Sequence, residues 1–393
     1  MKAVHIGPGN IGRGFIGALL SDSGFEVIFV ARNERKVQLL QQKKRYEVKF
    51  ANEANATNEV NNISAISSKN KQGVAQAIAD ADLVTTAVGV NALPHIAGLI
   101  AEGISMKLAE GITKPLHVMA CENAVGGSSQ LKARVMSALR EEDREKAEQF
   151  VAFPNTAVDR IIPGQEDEDS LSVTVEPYYE WVIDRSEMLE GFPPIKGVKY
   201  VDHLAPYIER KLFTVNTGHC VAAYHGYLAG YETIQEAMKD DRLRSQVVNV
   251  LRETGAMLTT KYHWDEAKHR LYIQKMITRF SNPRLTDEIV RVGRSPMRKL
   301  SLNDRLIRPA LQAHSMGLPV QHLTSAIAAA MLFDYELDPE AVALQRKLSS
   351  KGVDEVITQI MGIPRKHKMH PMIASKYHEM KARLNDFSAQ AAL

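Results

Sequence analysis

Short apolar runs separated by amphipathic stretches dominate the first half of the chain. Ala3–Ile6, Val27–Val30, Leu83–Thr86 and His117–Ala120 are rich in β-prone side chains, and polar or glycine-containing turns bound each run. Between them, Asn10 to Ser23, Glu34 to Gln42, Val74 to Ile78 and Leu93 to Ile100 carry the spacing of helices with one apolar face. Strands that alternate with helices predict a parallel sheet covered on both faces. Leu171 to Val175 and Trp181 to Ile183 add two strand-like runs among the punctuation of Pro163-Gly164, Pro177, Gly191 and Pro193-Pro194. From Pro206 onward the pattern changes. Long amphipathic segments follow at Tyr207–Leu212, Thr233–Met257, Leu300–His314, Leu323–Leu332 and Tyr377–Phe387. The pattern therefore predicts an α/β domain over 1–195 and a mainly α-helical domain over 196–393.

Composition supports this division and narrows the function classes. A chain of 393 residues is long for one core, and about two domains is the natural expectation. With 49 Lys and Arg against 46 Asp and Glu, the net charge of +3 gives no case for nucleic acid or a membrane surface as partner. No apolar run approaches the roughly 20 residues of a membrane span, and no signal-peptide core precedes the first strand. Two distant cysteines, Cys121 and Cys220, suggest no disulfide framework and fit a reducing, cytoplasmic setting.

The first strand runs into Gly7-Pro8-Gly9-Asn10-Ile11-Gly12, a G-x-G-x-x-G that also opens a helix. In that context the pattern has a mechanism, and it marks a Rossmann-type doubly wound sheet. Gly7 permits the tight turn, Gly9 lets a diphosphate approach the backbone, and Gly12 lets helix and strand pack closely. Asn10 and Ile11 complete the turn, whose free N–H groups and helix dipole suit a pyrophosphate. An acidic residue about 20 residues further on would read out the ribose of NAD. Here the second strand ends in Ala31-Arg32-Asn33. Ala31 accepts no hydrogen bond, whereas Arg32 suits the 2′-phosphate of NADP. The turn after Leu83–Thr86, with Thr86, Val88 and Gly89, lies where such sheets bind the nicotinamide half.

In the second half, Lys211, Asn216 and His219 stand out. At roughly 100° per residue of an α-helix, Asn216 lies about 140° round from Lys211, with His219 between them. Alcohol oxidation by hydride transfer needs a base for the proton and donors for the developing alkoxide. An ordinary exposed lysine on a helix fits the spacing equally well.

The chain resembles the polyol-specific long-chain dehydrogenases over nearly its whole length. The resemblance rests on Met1–His5 with Asn10–Gly17, on Thr85–Gly89, Ala120–Asn123, Ala157–Ile161 and Glu209–Phe213, and on Val292–Arg294 with Arg298–Leu300. The family signature of Lys, four residues, Asn, two residues, His is met by Lys211, Asn216 and His219. The resemblance implies Lys211 as general base, Asn216 and Asn123 as alkoxide donors, and His219 as the group orienting the hydroxyl, in a site where two domains meet. It implies NAD as cofactor and a small sugar or polyol phosphate as substrate, with no metal and no nucleic acid or membrane partner, in a monomer or weak dimer. Relatives usually carry Asp at the position of Ala31, so NADP remains open. His263 and His269, like His367 and His370, lack metal-ligand spacing and read as surface residues. The densest basic cluster, Arg291 to Lys299, offers Arg294, Arg298 and Lys299 for a phosphate, or is simply a solvated loop. Arg210 is a weaker choice, and Asp159-Arg160 reads as internal support. A dehydrogenase of a free polyol or sugar acid, and a nicotinamide-binding sensor without turnover, are the rival readings.

Overall fold

The computed structural model describes residues 1–164 and 171–391, and it divides into two compact units, Met1–Ile208 and Glu209–Leu393. In the first unit, six parallel strands lie in the order Ile63–Ser67, Glu26–Ala31, Lys2–Ile6, Leu83–Thr86, Leu116–Ala120, Val151–Ala152. In chain order within this sheet that is 3-2-1-4-5-6, the doubly wound arrangement of dinucleotide-binding folds. The four inner strands are mainly apolar and buried because both faces of the sheet are covered, whereas the edge strand Ile63–Ser67 is only half buried. One face carries a core built on Phe15, Leu20, Phe29 and Trp181. The other carries Val4, Ile78, Ile100 and Val118. Asparagine side chains start two of the covering helices. Asn33 accepts the N–H of Lys36 at the head of Glu34–Lys43, and Asn70 that of Gly73 at the head of Lys71–Ala79.

Two smaller sheets flank the main one. Tyr46–Phe50 pairs antiparallel with Thr57–Val60 and parallel with Val173–Val175. Glu180–Asp184 pairs with Thr156–Asp159 and with Val198–Val201. That last pairing carries the first unit past residue 195, because Val198–Val201 is a ladder partner of a strand already inside it. Arg160 lends internal support here. Its guanidinium donates to the carbonyls of Gly14 and Glu176 and lies over the rings of Phe15, Phe50 and Tyr179.

The described part of the second unit is helical. Helix Thr217–Leu228 is its hub, buried along most of its length and packed against Asp241–Tyr262, Ile289–Gly293 and Gln321–Met331. In Gln321–Met331, the small residues Ala326, Ala328, Ala329 and Ala330 are buried, so the long helix Met369–Ala391 packs close to it. Two expected long helices are broken. Thr233–Met257 divides into Ile234–Ala237 and Asp241–Tyr262, because Asp240 turns its carboxylate onto the N–H groups of Arg242 and Leu243 and starts a new helix. Leu300–His314 is helical only from Ile307, since residues 301–306 form turns. His269 and His370 are buried rather than on the surface, against Tyr272 and near Asp354 respectively. Among the described residues, no helix is long and apolar enough to cross a membrane, and Cys121 and Cys220 are both buried free thiols.

Candidate active site

The strand order reverses between Lys2–Ile6 and its two neighbours, and the glycine turn sits at that reversal. The Gly7 N–H donates to Val30 O (3.0 Å), and the Ala87 N–H donates to Ile6 O (2.9 Å), so the first strand is laddered on both sides up to the turn. Gly7 has φ +100°, a conformation that costs a side-chain-bearing residue dearly. A side chain at Gly12 would collide with the Gly7 carbonyl and the His5 ring, whereas one at Gly9 would meet open space. The protein therefore needs Gly12 for packing, and Gly9 leaves the backbone bare toward a ligand. Arg13 braces the turn by donating to the carbonyls of Pro8 and Leu171. Beneath it, buried His5 bonds Thr85 Oγ1 (2.8 Å), and burial pushes its imidazole down to about 4.

Gly7, Pro8, Gly9, Ala31, Arg32, Asn33 and Val88 line one cavity of about 540 Å³, together with residues of the helices that follow. Its volume and its bare glycine backbone suit a dinucleotide. Asn10 and Ile11 lead from the turn into the helix and Gly12 packs behind it. Thr86 and Gly89 do not line the cavity. They are held from behind by a residue that the sequence patterns missed. Buried Glu122 accepts hydrogen bonds from Thr86 Oγ1 (2.8 Å), the Val88 N–H (2.9 Å) and the Gly89 N–H (2.8 Å). One carboxylate thus fixes the turn against which the nicotinamide half would lie. Asn123 follows directly, exposed in the loop after Leu116–Ala120.

In the second unit, Lys211–Asn216 is a π-helix that continues into the α-helix Thr217–Leu228. The bonding is i→i+5, which widens the winding to roughly 4.4 residues per turn from the roughly 3.6 of an α-helix. Lys211 and Asn216 therefore stand about 50° apart on the same side, instead of about 140° apart as α-helical geometry would have them. Thr217 Oγ1 donates to Leu212 O (3.1 Å) and to Arg305 O (2.6 Å), which meets a carbonyl of the wide turn and ties it to the neighbouring segment. Two residues before Lys211, buried Glu209 accepts from Lys261 Nζ (2.6 Å), Tyr262 Oη (2.8 Å) and Arg308 (3.0 Å). Arg210 points elsewhere, with its guanidinium 4.4 Å from the Tyr272 ring centre.

His219 is held on two sides. Its ring stacks on Phe280, with centroids 5.1 Å apart and planes 6° from parallel. Its Nε2 lies 3.0 Å from Oδ2 of Asp287, an ion-pair distance without the alignment of a hydrogen bond. Asp287 is fully buried and also accepts from Arg291 Nε (2.9 Å). Burial raises the Asp287 carboxyl, but His219 and Arg291 more than offset this and leave it below the ordinary range. Asp287 lies 68 residues beyond His219 in sequence, so no local pattern pairs them.

The basic cluster divides. Lys299 is not available to a phosphate as its sequence position suggested. It is buried, its ammonium donates to the carbonyls of Val292 and Arg294, and burial lowers it to about 8. Arg298 is exposed, with a guanidinium nitrogen 3.8 Å from Asp304. Arg294 is exposed and lines a cavity of about 300 Å³ with Arg291 and Ser295, although Glu288 and Asp338 line it too. Among the described residues, no group of three His, Cys, Asp or Glu side chains is placed to hold a metal ion.

A family profile described as the mannitol dehydrogenase Rossmann domain matches residues 1–197, and a second, described as the mannitol dehydrogenase C-terminal domain, matches residues 203–381. The chain belongs to the mannitol dehydrogenase family. Mannitol-1-phosphate 5-dehydrogenase of Geobacillus stearothermophilus is 49% identical over 383 residues, covering 97% of this chain and all of the relative. The enzyme of the same name from Bacillus subtilis is 45% identical over 380 residues, covering 96% of this chain and all of that relative. Among solved structures, Pseudomonas fluorescens mannitol 2-dehydrogenase, in a complex with NAD and D-mannitol, matches the fold with a TM-score of 0.78 at 18% identity, covering 100% of this chain and 93% of that one. This member of the mannitol dehydrogenase family is an oxidoreductase.

Within this family member, Glu122→Ala tests the turn. The change leaves the Thr86, Val88 and Gly89 donors without their acceptor, and dinucleotide Kd is expected to rise about tenfold. Fluorescence titration reads it, and an unchanged Kd would mean that the turn holds its shape without the carboxylate.

Proposed function

We propose that the chain interconverts D-mannitol 1-phosphate and D-fructose 6-phosphate with a nicotinamide dinucleotide as hydride carrier, for which the family relationship gives NAD as the expectation. The observation that carries this reading is near-half identity over the full length of relatives named mannitol-1-phosphate 5-dehydrogenase. The nicotinamide, when bound, supplies or accepts the hydride. Lys211 takes the hydroxyl proton during oxidation and returns it during reduction. Asn216, brought to the same side as Lys211 by the π-helix, donates to the reacting oxygen, and Asn123 is the second amide donor. His219, fixed by Phe280 and Asp287, orients the hydroxyl. In this reading a lysine does the work that a metal does in other alcohol dehydrogenases. Arg294 and Arg298 remain the candidates for the phosphate, and Lys299 acts instead by fixing the backbone that carries Arg294. The protein would act in the cytoplasm, where Cys121 and Cys220 stay reduced, as a monomer or weak dimer.

Steady-state reduction of fructose 6-phosphate and of fructose tests the substrate. A phosphate-reading site is expected to favour the phosphate ester by about a hundredfold in kcat/KM. Equal efficiency would remove the phosphate from the reading and leave a dehydrogenase of free polyols. No nucleotide consumption with either substrate would favour a sensor.

A further inference from the structure

The cavity at the glycine turn ends in a cluster of cations. Arg32 directly follows the second strand, Lys36 lies in the first turn of helix Glu34–Lys43, and Lys71 is the first residue of helix Lys71–Ala79. All three line the cavity with Asn33 and Ser68, and no carboxylate lines it. Among the described residues, neither Arg32 nor Lys71 has an ion-pair partner. The nearest acid in sequence, Glu34, is engaged elsewhere. It accepts from Ser67 Oγ (2.6 Å) and pairs with Lys69 (3.4 Å). Where an NAD site presents a carboxylate to the ribose hydroxyls, this chain presents Ala31.

Backbone and dipoles act in the same direction. The Ser68 N–H donates to Ala31 O (2.8 Å), which draws the turn after Ile63–Ser67 against the end of the second strand. Two helices of nine and ten residues begin at this rim, and their positive ends favour an anion there. A ribose bearing two neutral hydroxyls uses none of this charge. A 2′-phosphate uses all of it: a fork-shaped donor in Arg32, two ammonium groups, a hydroxyl and two helix starts.

We propose that the adenosine end of this cavity is a 2′-phosphate site, formed by Arg32, Lys36, Lys71 and Ser68, and that the enzyme binds NADP(H) more tightly than NAD(H). The inference rests on the reading that the glycine turn holds a nicotinamide dinucleotide. It departs from the acidic ribose contact of an NAD fingerprint, and it does not depend on which polyol is oxidised.

Two measurements on the full chain test it. In the first, 2′,5′-ADP and 5′-AMP, which differ by the 2′-phosphate alone, are titrated by calorimetry. The expected result is binding at least about tenfold tighter for 2′,5′-ADP, weakening steeply with salt. Equal Kd values overturn the proposal. In the second, fructose 6-phosphate is reduced with NADPH and with NADH. The doubly changed Arg32→Ala, Lys71→Ala chain is expected to lower the NADPH:NADH ratio of kcat/KM by about tenfold or more. Ala31→Asp is expected to lower the same ratio by placing a carboxylate where the phosphate would lie. A ratio that neither change moves overturns the proposal, and unaltered melting temperatures exclude unfolding as the cause. If neither nucleotide is consumed, the proposed reaction falls, and the 2′,5′-ADP titration still decides the phosphate site.

Discussion

Lys211→Ala is expected to lower kcat by about 10²–10⁴-fold, the range of general acid–base catalysis by a positioned side chain. The dinucleotide Kd is expected to stay near the parent value, because the cofactor cavity is lined by residues of the first unit alone. Lys211 is half-buried on the π-turn, and Phe213, Thr214 and Val215 carry the packing of that turn. The truncation therefore removes chemistry with little loss of core. KM for the sugar phosphate is expected to change far less than kcat, since the proton transfer is made only in the transition state. Turnover within a few-fold of the parent would remove Lys211 from the role of base and return the problem to His219.

Acid is expected to unfold the protein well above the pH at which carboxylates titrate. His5, His117, His225 and His269 are each buried, and burial lowers each imidazole from 6.5 to about 4. In the unfolded chain these rings gain a proton below about 6.5, while in the folded chain they stay neutral until about 4. Their contribution is therefore complete above 6.5 and is lost as pH falls from 6.5 to 4. A tenfold difference in proton affinity is worth about 1.4 kcal/mol, so each ring contributes up to about 3 kcal/mol. His5 and His117 lie in the first unit, His225 and His269 in the second. Two such groups per unit approach the net stability of an ordinary domain, about 5–15 kcal/mol. Asp287, with its carboxyl held low, adds a loss only below the ordinary carboxylate range. Melting temperature followed by circular dichroism should fall steeply between pH 6.5 and 4.5. A flat profile over that window would show that the rings are protonated and accommodated in the native state.

The alternation of strand and helix was legible from the four inner strands of the main sheet, which are largely buried on both faces and read as short, mainly apolar runs. The edge strands Ile63–Ser67, interrupted by Ser64 and Ser67, and Val151–Ala152, two residues long, left no such run. Tyr46–Phe50 also escaped notice. It alternates buried Tyr46 and Val48 with exposed Glu47 and Lys49, a short mixed pattern that looks like loop. The break at Asp240 was hidden because the apolar spacing continues across it, while only its carboxylate, turned back onto two N–H groups, ends one helix and begins the next. The glycine turn and the Lys211–His219 spacing were visible as motifs. Their supports were not. Glu122 acts through backbone N–H groups 33 and 34 residues away, and Asp287 reaches His219 from another helix start, so neither leaves a local signature. Lys299 misled for a related reason. A run of basic residues gives no hint that one ammonium has turned inward onto carbonyls.

The π-turn at Lys211–Asn216 has a consequence for how such chains are compared. Lys-x-x-x-x-Asn is a meaningful interval only where the backbone takes one residue more than usual to come round. The same letters wound as an α-helix would point the amine and the amide to different sides. The motif is thus a statement about winding as much as about side chains. A distant sequence that keeps all three letters but regains regular winding has lost the pairing, and one that shifts the amide to the fourth position while straightening the helix has kept it. Alignments that score letters at fixed intervals will rank those two sequences in the wrong order.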